Sequence, residues 1–313
     1  MKIVKAVAPY IHPEHLNFKT APYEAWVKCE GKVAKSHYPW RVFHGIAYRW
    51  ELPSWSFLKN EKEARLRFVE PVSLSFDTFP DYTRYEIIPF VWDCWPRYFE
   101  KMCRWMEKHQ VRTVIFTSSQ TAERMQQRFP AMNIMYCPEA VDTSNYAMGK
   151  PLMNRRISLL EVGRSNSKFT KLHLPASVPH VCTMVNDKFL FTDKQLHELM
   201  GDAKITIALP RNYTQPWEAG DIETLTQRYW ECMLSRIVIV GHAPKELTDL
   251  TGYNPVIEID KDHANEQILD ILAHIEDYQE LVDKNHENAL LLGDWEPRIK
   301  NVMRWLQKCC YEL

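Results

Sequence analysis

Glycine is scarce in this chain, 9 of 313 residues. Neither G-x-G-x-x-G nor G-x-x-x-x-G-K-[ST] occurs, which excludes the glycine-rich phosphate cradles of dinucleotide-binding and P-loop proteins. Any bound phosphate must be held by another device. Long apolar runs are missing too. No stretch approaches the roughly 20 apolar residues of a membrane span, and the start MKIVKAVAPYIHPEHLNF has neither an apolar h-region nor a small-residue cleavage site. The expectation is a cytoplasmic protein. Neither sign of charge dominates: 39 Lys and Arg face 40 Asp and Glu, which removes the electrostatic case for a nucleic-acid partner. The eight cysteines are scattered, and their only close pair, Cys309 and Cys310, is adjacent. That is no zinc or thioredoxin spacing, so reduced and mostly buried thiols are expected.

What is present is an ordinary globular composition, 45% hydrophobic and 12% aromatic, which can bury a core. The length suggests two domains of roughly 150 residues each. KIVKAVAPY reads as a short buried strand, Tyr23 to Pro53 as loop-rich, the charged run LKNEKEARLRF as a helix and VEPVSLSFDTF as extended. From Glu86 the pattern is strand EIIPFV, helix PRYFEKMCRWMEKHQV, strand RTVIFTSS, helix TAERMQQRF and strand NIMYCP. A polar stretch follows, and the boundary is placed near Met148. The second half alternates again: ISLLEVG, TDKQLHELMGDA, KITIALP, ETLTQRYWECMLS, RIVIVG and NPVIEI, before the helical segments EQILDILAHI, YQELVDKNHENALLL and WEPRIKNVMRWLQKCC. Such alternation predicts an α/β protein with parallel sheets and ligand sites at the carboxyl ends of the strands.

Two segments stand out as chemistry. Leu209 to Met233 joins a buried strand to a helix through a polar loop carrying Arg211, Asp221, Thr224 and Thr226, and free amides at a helix start can hold an anion such as a diphosphate. Glu223 and Glu231 stand eight residues apart, about 12 Å along a helix axis, which suits two ends of an extended ligand. On the residues alone, Glu223 is equally a first-turn acid favoured by the helix dipole and Glu231 a solvated one. Upstream, ISLLEVGRSNSK ends a strand with Gly163-Arg164 and places Lys168 four residues beyond, with Lys171 a rival. Asp260-Lys-Asp262 precedes EQILDILAHI and reads as a helix cap rather than a metal motif.

Glu-x7-Glu followed by the apolar strand RIVIVG resembles the donor motif of the group-one retaining glycosyltransferases, and the strand-GR...K pattern resembles their diphosphate clamp. The resemblance implies a GT-B fold, two Rossmann-like domains facing across a cleft, with a C-terminal helix crossing back. Residues 1–147 would form the acceptor-side domain, 148–294 the nucleotide-sugar domain, and 295–313 the helix packing back on the first. It further implies that Glu223 contacts the donor hexose, Glu231 the ribose, and Gly163, Arg164 and Lys168 the diphosphate. Arg236 stands where the family usually has glycine. PFVWDCWPRY, VIFTSSQTAERM and CPEAVD resemble the family's N-domain half, which makes Asp93, Ser118, Ser119 and Glu139 cleft candidates. On the residues alone, His44 in RVFHGIAYRW is the histidine candidate, because Gly45 beside it permits a close backbone approach. The implied activity is hexose transfer, with retention, from a nucleoside-diphosphate sugar to a glycan or lipid-linked acceptor in surface polysaccharide biosynthesis. No metal and no cofactor beyond the donor is implied, and peripheral association with the inner face of a membrane would bring the chain to a lipid-linked acceptor. A nucleotide-sugar epimerase or hydrolase, or a non-catalytic nucleotide-binding module, would carry the same motifs.

Overall fold

A computed structural model describes residues 1–9, 19–35, 49, 59–163, 170, 172–185 and 188–313. The chain forms two compact units. The first comprises Met1–Pro138, Trp217–Ile222 and Trp295–Leu313, the second Glu139–Pro216 and Glu223–Asp294.

The first unit is built on a seven-stranded sheet. Strands β1 (Lys2–Val7), β3 (Glu63–Val69), β4 (Glu86–Val91), β5 (Thr113–Phe116) and β6 (Asn133–Tyr136) run parallel in that spatial order, with β2 (Val33–Ala34) and the C-terminal pair Tyr311–Glu312 also parallel to β1. The central strands β4 and β5 are almost wholly buried, as parallel strands covered on both faces must be. The helix Pro96–Lys108 starts on a proline and buries Met102, Cys103, Trp105 and Met106 along one stripe, the spacing its sequence predicts. The helix Trp295–Lys308 buries Trp295, Ile299, Val302, Met303 and Leu306 and packs against the helix Thr20–Lys28. The ring of Trp295 lies 6.1 Å from those of Phe90 and Trp92. Tyr311 then fastens the chain end, its hydroxyl bonded to Glu86 and to Thr113 Oγ1.

Two expectations fail here, and a third fails in part, since residues 23–28 of the stretch expected to be loop-rich belong to the helix Thr20–Lys28. LKNEKEARLRF is no helix: its second half lies in β3, where Ala64, Leu66 and Phe68 alternate with Arg65 and Arg67, all five buried. The arginines are tolerated inside because each has a partner, Glu63 at 2.8 Å for Arg65 and Asp81 at 3.0 Å for Arg67. VEPVSLSFDTF is not extended throughout, since Leu74–Thr78 form a helical turn.

The second unit carries a five-stranded parallel sheet in the order β13 (Ile257–Glu258), β12 (Val238–Gly241), β11 (Ala203–Ala208), β7 (Ile157–Glu161), β8 (His180–Cys182), and a small antiparallel pair of β9 (Met184–Val185) and β10 (Lys188–Phe189). Separate apolar clusters pack around it. One gathers Tyr229, Trp230 and Met233 of the helix Gln227–Leu234 with Leu247 and Ala289. The other gathers Ile268, Ile271 and Val282 with Leu152. The sheet is therefore doubly wound. The direction of winding reverses between β7, which is followed by β8 on one side, and β11, which leads to β12 on the other. The carboxyl ends at such a switch point form the crevice where open α/β sheets bind ligands.

Candidate functional site

The loops at the carboxyl ends of the second unit's strands hold Gly163, Arg211, Glu223, Thr224 and Thr226 among the residues singled out from the sequence. After β12 the backbone passes so close to β11 that a Cβ on Gly241 would meet the Ala208 carbonyl oxygen at 1.8 Å. His242, next in line, donates its amide to the same carbonyl at 3.0 Å and so projects from the sheet's end. Its ring sits between two carboxylates, Nε2 at 3.1 Å from Glu223 and Nδ1 at 2.9 Å from Glu258. Tyr213 stacks on the imidazole with ring centroids 4.5 Å apart, and the ammonium of Lys261 lies 4.4 Å from the Tyr213 ring centre. Burial and the negative charges of Glu223 and Glu258 raise the Tyr213 phenol above its ordinary pKa, so it remains a neutral ring at physiological pH. Glu223 also accepts the Lys245 amide at 3.0 Å. Its carboxylate is thus aimed by two groups from the β12 loop, and 22% of its side chain remains exposed.

Glu223 and Glu231 do not share one helix. The segment ETLTQRYWECMLS becomes helical only at Gln227, and Glu223 lies in the irregular stretch before it. The competing influence is tertiary. Glu246, itself buried, accepts the Leu225 amide at 2.9 Å, which ties this stretch down before a helix can begin. The expected anion seat at the helix start is also partly taken from within the chain: the buried carboxylate of Glu139 accepts the Gln227 amide at 3.3 Å, and its backbone oxygen accepts Trp230 Nε1 at 2.8 Å. Glu139 is therefore bound to the second unit's own helix. Glu231 accepts the Tyr146 hydroxyl at 2.8 Å, and burial together with the negative charge of Glu231 raises that phenol's pKa well above the ordinary range.

The most telling neighbour of the strand-GR motif is a residue that sequence reasoning passed over. Gly163, just beyond β7, adopts φ +75°, and a Cβ there would come within 2.5 Å of Arg228 Nη2. The Gly163 amide donates to Thr183 Oγ1 at 2.8 Å. Arg228 thus lays its guanidinium over the end of β7, at the switch point. Among the described residues its buried Nε has no hydrogen-bond partner, and neither has the buried hydroxyl of Thr224. Both atoms can therefore bond a further group. Thr226 stands at the N-cap position without a side-chain capping bond.

The remaining candidates are placed as follows. Arg211 donates through Nε to Gln215 at 2.8 Å. Asp221 belongs to the first unit, where Arg124 holds it at 2.6 Å. Ser118 caps the helix Ser119–Arg128, accepting the Thr121 amide at 3.4 Å, and Ser119 is that helix's first residue. Asp93 follows β4 with φ +50°, a left-handed conformation that few non-glycine residues adopt. His44, Arg164, Lys168 and Lys171 lie outside the described residues. Asp260 accepts the amides of Asp262 and His263 at 3.0 and 3.2 Å, just before the helix Ala264–Ala273, as capping predicts. Arg236, where the family pattern has glycine, takes φ +55° and pairs with Asp283; the turn into β12 needs the left-handed conformation that glycine adopts most cheaply. His242, Glu258, Tyr213 and Arg228 were all missed. The placement of His242 directly after the strand-ending glycine of RIVIVG was the one signal in the sequence that pointed to any of them.

No family model matches the sequence, and no curated protein matches it either. Solved structures do match in shape. AviGT4, a glycosyltransferase involved in Avilamycin A biosynthesis, shares 11% identity over 99% of this chain and 98% of its own, with a TM-score of 0.57. An alpha-glucosyltransferase solved with UDP and a 13-mer DNA containing a HMU base shares 11% identity over 98% of this chain and 99% of its own, with a TM-score of 0.55. TarM shares 10% identity over 78% of this chain, with a TM-score of 0.51, and the chain spans only about half of it, 54%. At such identities the likeness is one of fold: the chain has the GT-B fold, built from two Rossmann-like domains.

Proposed function

We propose that the chain is a glycosyltransferase that moves a hexose from a nucleoside-diphosphate sugar to a glycan or lipid-linked acceptor, with retention, in surface polysaccharide biosynthesis. The observation that carries this reading is the place of Glu223. It is a carboxylate fixed by His242 and the Lys245 amide at the carboxyl end of a doubly wound parallel sheet. Arg228, at the switch point of the same sheet, offers an unsatisfied donor. The shared fold supports the same class of reaction, although fold alone does not decide chemistry.

In this reading Glu223 accepts hydrogen bonds from hexose hydroxyls and Glu231 from the ribose, each having oxygen lone pairs beyond those its protein partners use. Arg228 joins Arg164 and Lys168, or Lys171, around the diphosphate. Guanidinium groups fork onto phosphate oxygens, so these cations stabilise the charge that grows on the leaving group as the sugar bond breaks. Tyr213, stacked on His242, offers an apolar ring beside the hexose position. Asp93, Ser119 and His44 are assigned to the acceptor side. The donor is the only small molecule the reaction needs in this reading. Among the described residues no helix is long and apolar enough to cross a membrane, and we place the enzyme in the cytoplasm, meeting a lipid-linked acceptor at the membrane's inner face.

A thermal-shift screen over nucleoside diphosphates and their sugars tests the reading, because a ligand at 100 times its Kd stabilises the native state by about 2.7 kcal/mol. One diphosphate base series should raise the melting temperature, and its sugar should then be transferred to an acceptor. No shift with any of them would overturn the assignment. Donor consumed at full rate without an acceptor would replace transfer by hydrolysis or epimerisation.

A further inference from the structure

On the opposite side of β7 from the switch point, the edge strand β8 brings together three groups that the proposed reaction does not use. Glu161 closes β7 and is fully buried. In the parallel pairing Glu161 stands directly opposite Cys182, and Leu159 opposite His180. Because side chains alternate along a strand, His180 and Cys182 project from the same face, and direct opposition puts Glu161 on that face with them. Their ligand atoms meet: His180 Nε2 lies 2.8 Å from Glu161 Oε1, Cys182 Sγ 3.8 Å from Glu161 Oε1, and Cys182 Sγ 3.6 Å from His180 Nε2.

We propose that Glu161, His180 and Cys182 form a binding site for one Zn2+ ion, with solvent completing the coordination. Zinc bonds of about 2.0 Å to oxygen, 2.0–2.1 Å to nitrogen and 2.3 Å to sulfur, set at tetrahedral angles, separate the ligand atoms by roughly 3.3 Å for N and O, 3.6 Å for N and S, and 3.5 Å for O and S. The observed separations differ from these by about half an ångström or less. One thiolate, one imidazole and one carboxylate suit this borderline cation, whereas magnesium and calcium require oxygen ligands throughout. Charge also balances, since one divalent ion matches one carboxylate and one thiolate. His180 retains 28% side-chain exposure, which leaves a route for the ion and for water as fourth ligand.

Binding proceeds with the Cys182 thiol proton released to solvent and the sulfur lone pair given to the metal, while the imidazole binds through Nε2 and keeps its proton on Nδ1. The ion would tie β8 to β7 two residues before Gly163. The site is independent of the donor-binding reading, because none of its ligands is assigned to the donor.

The test is a titration of the chelator-treated full-length protein with Co2+ and Zn2+, alongside Cys182→Ser, His180→Ala and, as a control for the terminal thiols, Cys309→Ser/Cys310→Ser. The expected result is one ion per chain and a near-ultraviolet thiolate-to-cobalt band that Cys182→Ser abolishes. His180→Ala should weaken Zn2+ at least tenfold, and the terminal double variant should leave both signals unchanged. Circular dichroism confirms that each variant is folded; if Cys182→Ser does not fold, the exposed-side variant His180→Ala decides the matter through its Zn2+ affinity. A missing band, a band that survives Cys182→Ser, or one lost with the terminal pair instead would overturn the site. Nucleoside-diphosphate binding measured on the same samples keeps this outcome separate from that of the transferase reading.

Discussion

At the scale of single residues the donor reading rests on groups whose roles can be separated by the ligand used. A free nucleoside diphosphate lacks the hexose, so Glu223→Gln should impair transfer of the intact sugar nucleotide and leave diphosphate binding nearly unchanged. Glu231→Gln should weaken both ligands, because both carry the ribose. Calorimetry with the two ligands on each variant checks this, and two variants indistinguishable from the unmodified protein would end the assignment. Arg228 supplies a second prediction. Losing one charge-assisted hydrogen bond costs about 1.5–3 kcal/mol, so Arg228→Ala should weaken nucleoside-diphosphate binding roughly 10- to 150-fold. Unchanged affinity in a folded variant would remove it from the site. The spacing of the two acids singles them out in the sequence, although they do not share the helix that the spacing assumes. Arg228 was not, because nothing in QRYWECML indicates that its side chain lies over a glycine some 65 residues earlier; only the packing of the helix against the end of β7 reveals that.

At the scale of elements, the helix Gln227–Leu234 shows how protein groups set a boundary that propensity does not. The Leu225 amide is buried and bonded to Glu246, and Gln227 donates to Glu139. Glu246→Ala should therefore lower stability by about 1–3 kcal/mol, the cost of leaving a buried donor without its acceptor, and the melting temperature should fall. It should also loosen the stretch that carries Glu223, so transfer should fall further than the loss of folded protein explains. A variant as stable as the unmodified chain would show that another group restrains this segment. Misread elements have similar causes. In EARLRFV the residues Ala64, Leu66 and Phe68 share one face of a strand, whereas the charge of the run LKNEKEARLRF reads as a helix. Arg67 is neutralised by buried Asp81, fourteen residues on, and Arg65 by Glu63 two residues before it, pairings that only the structure shows.

At the scale of the molecule, alternating strands and helices announced two parallel-sheet units, since uninterrupted apolar runs such as VIVG and TVIF have few other homes. The membership of the units was less legible. Trp217–Ile222 joins the first unit through Ala219 and Ile222, which pack on Trp95, and that choice depends on surfaces formed by distant residues. Global stability offers a test that is independent of any ligand. His109 is buried in the first unit, its ring 4.5 Å from that of Tyr82 and 4.6 Å from that of Trp105. Burial, aided by the positive charges of Lys108 and Lys59, lowers its pKa from 6.5 to about 4. The folded chain then keeps this imidazole neutral in a range where the unfolded chain protonates it. Its contribution is therefore fully present above about pH 6.5, declines as the pH falls from there to about 4, and is lost below. The shift corresponds to about 3 kcal/mol across that window. Denaturant unfolding followed by tryptophan fluorescence between pH 7 and pH 4 should show this loss, and His109→Gln, which has no proton to gain, should show a correspondingly shallower decline. Parallel pH profiles for the two proteins would mean that His109 protonates alike in the folded and unfolded chains, and the buried, neutral histidine would have to be abandoned.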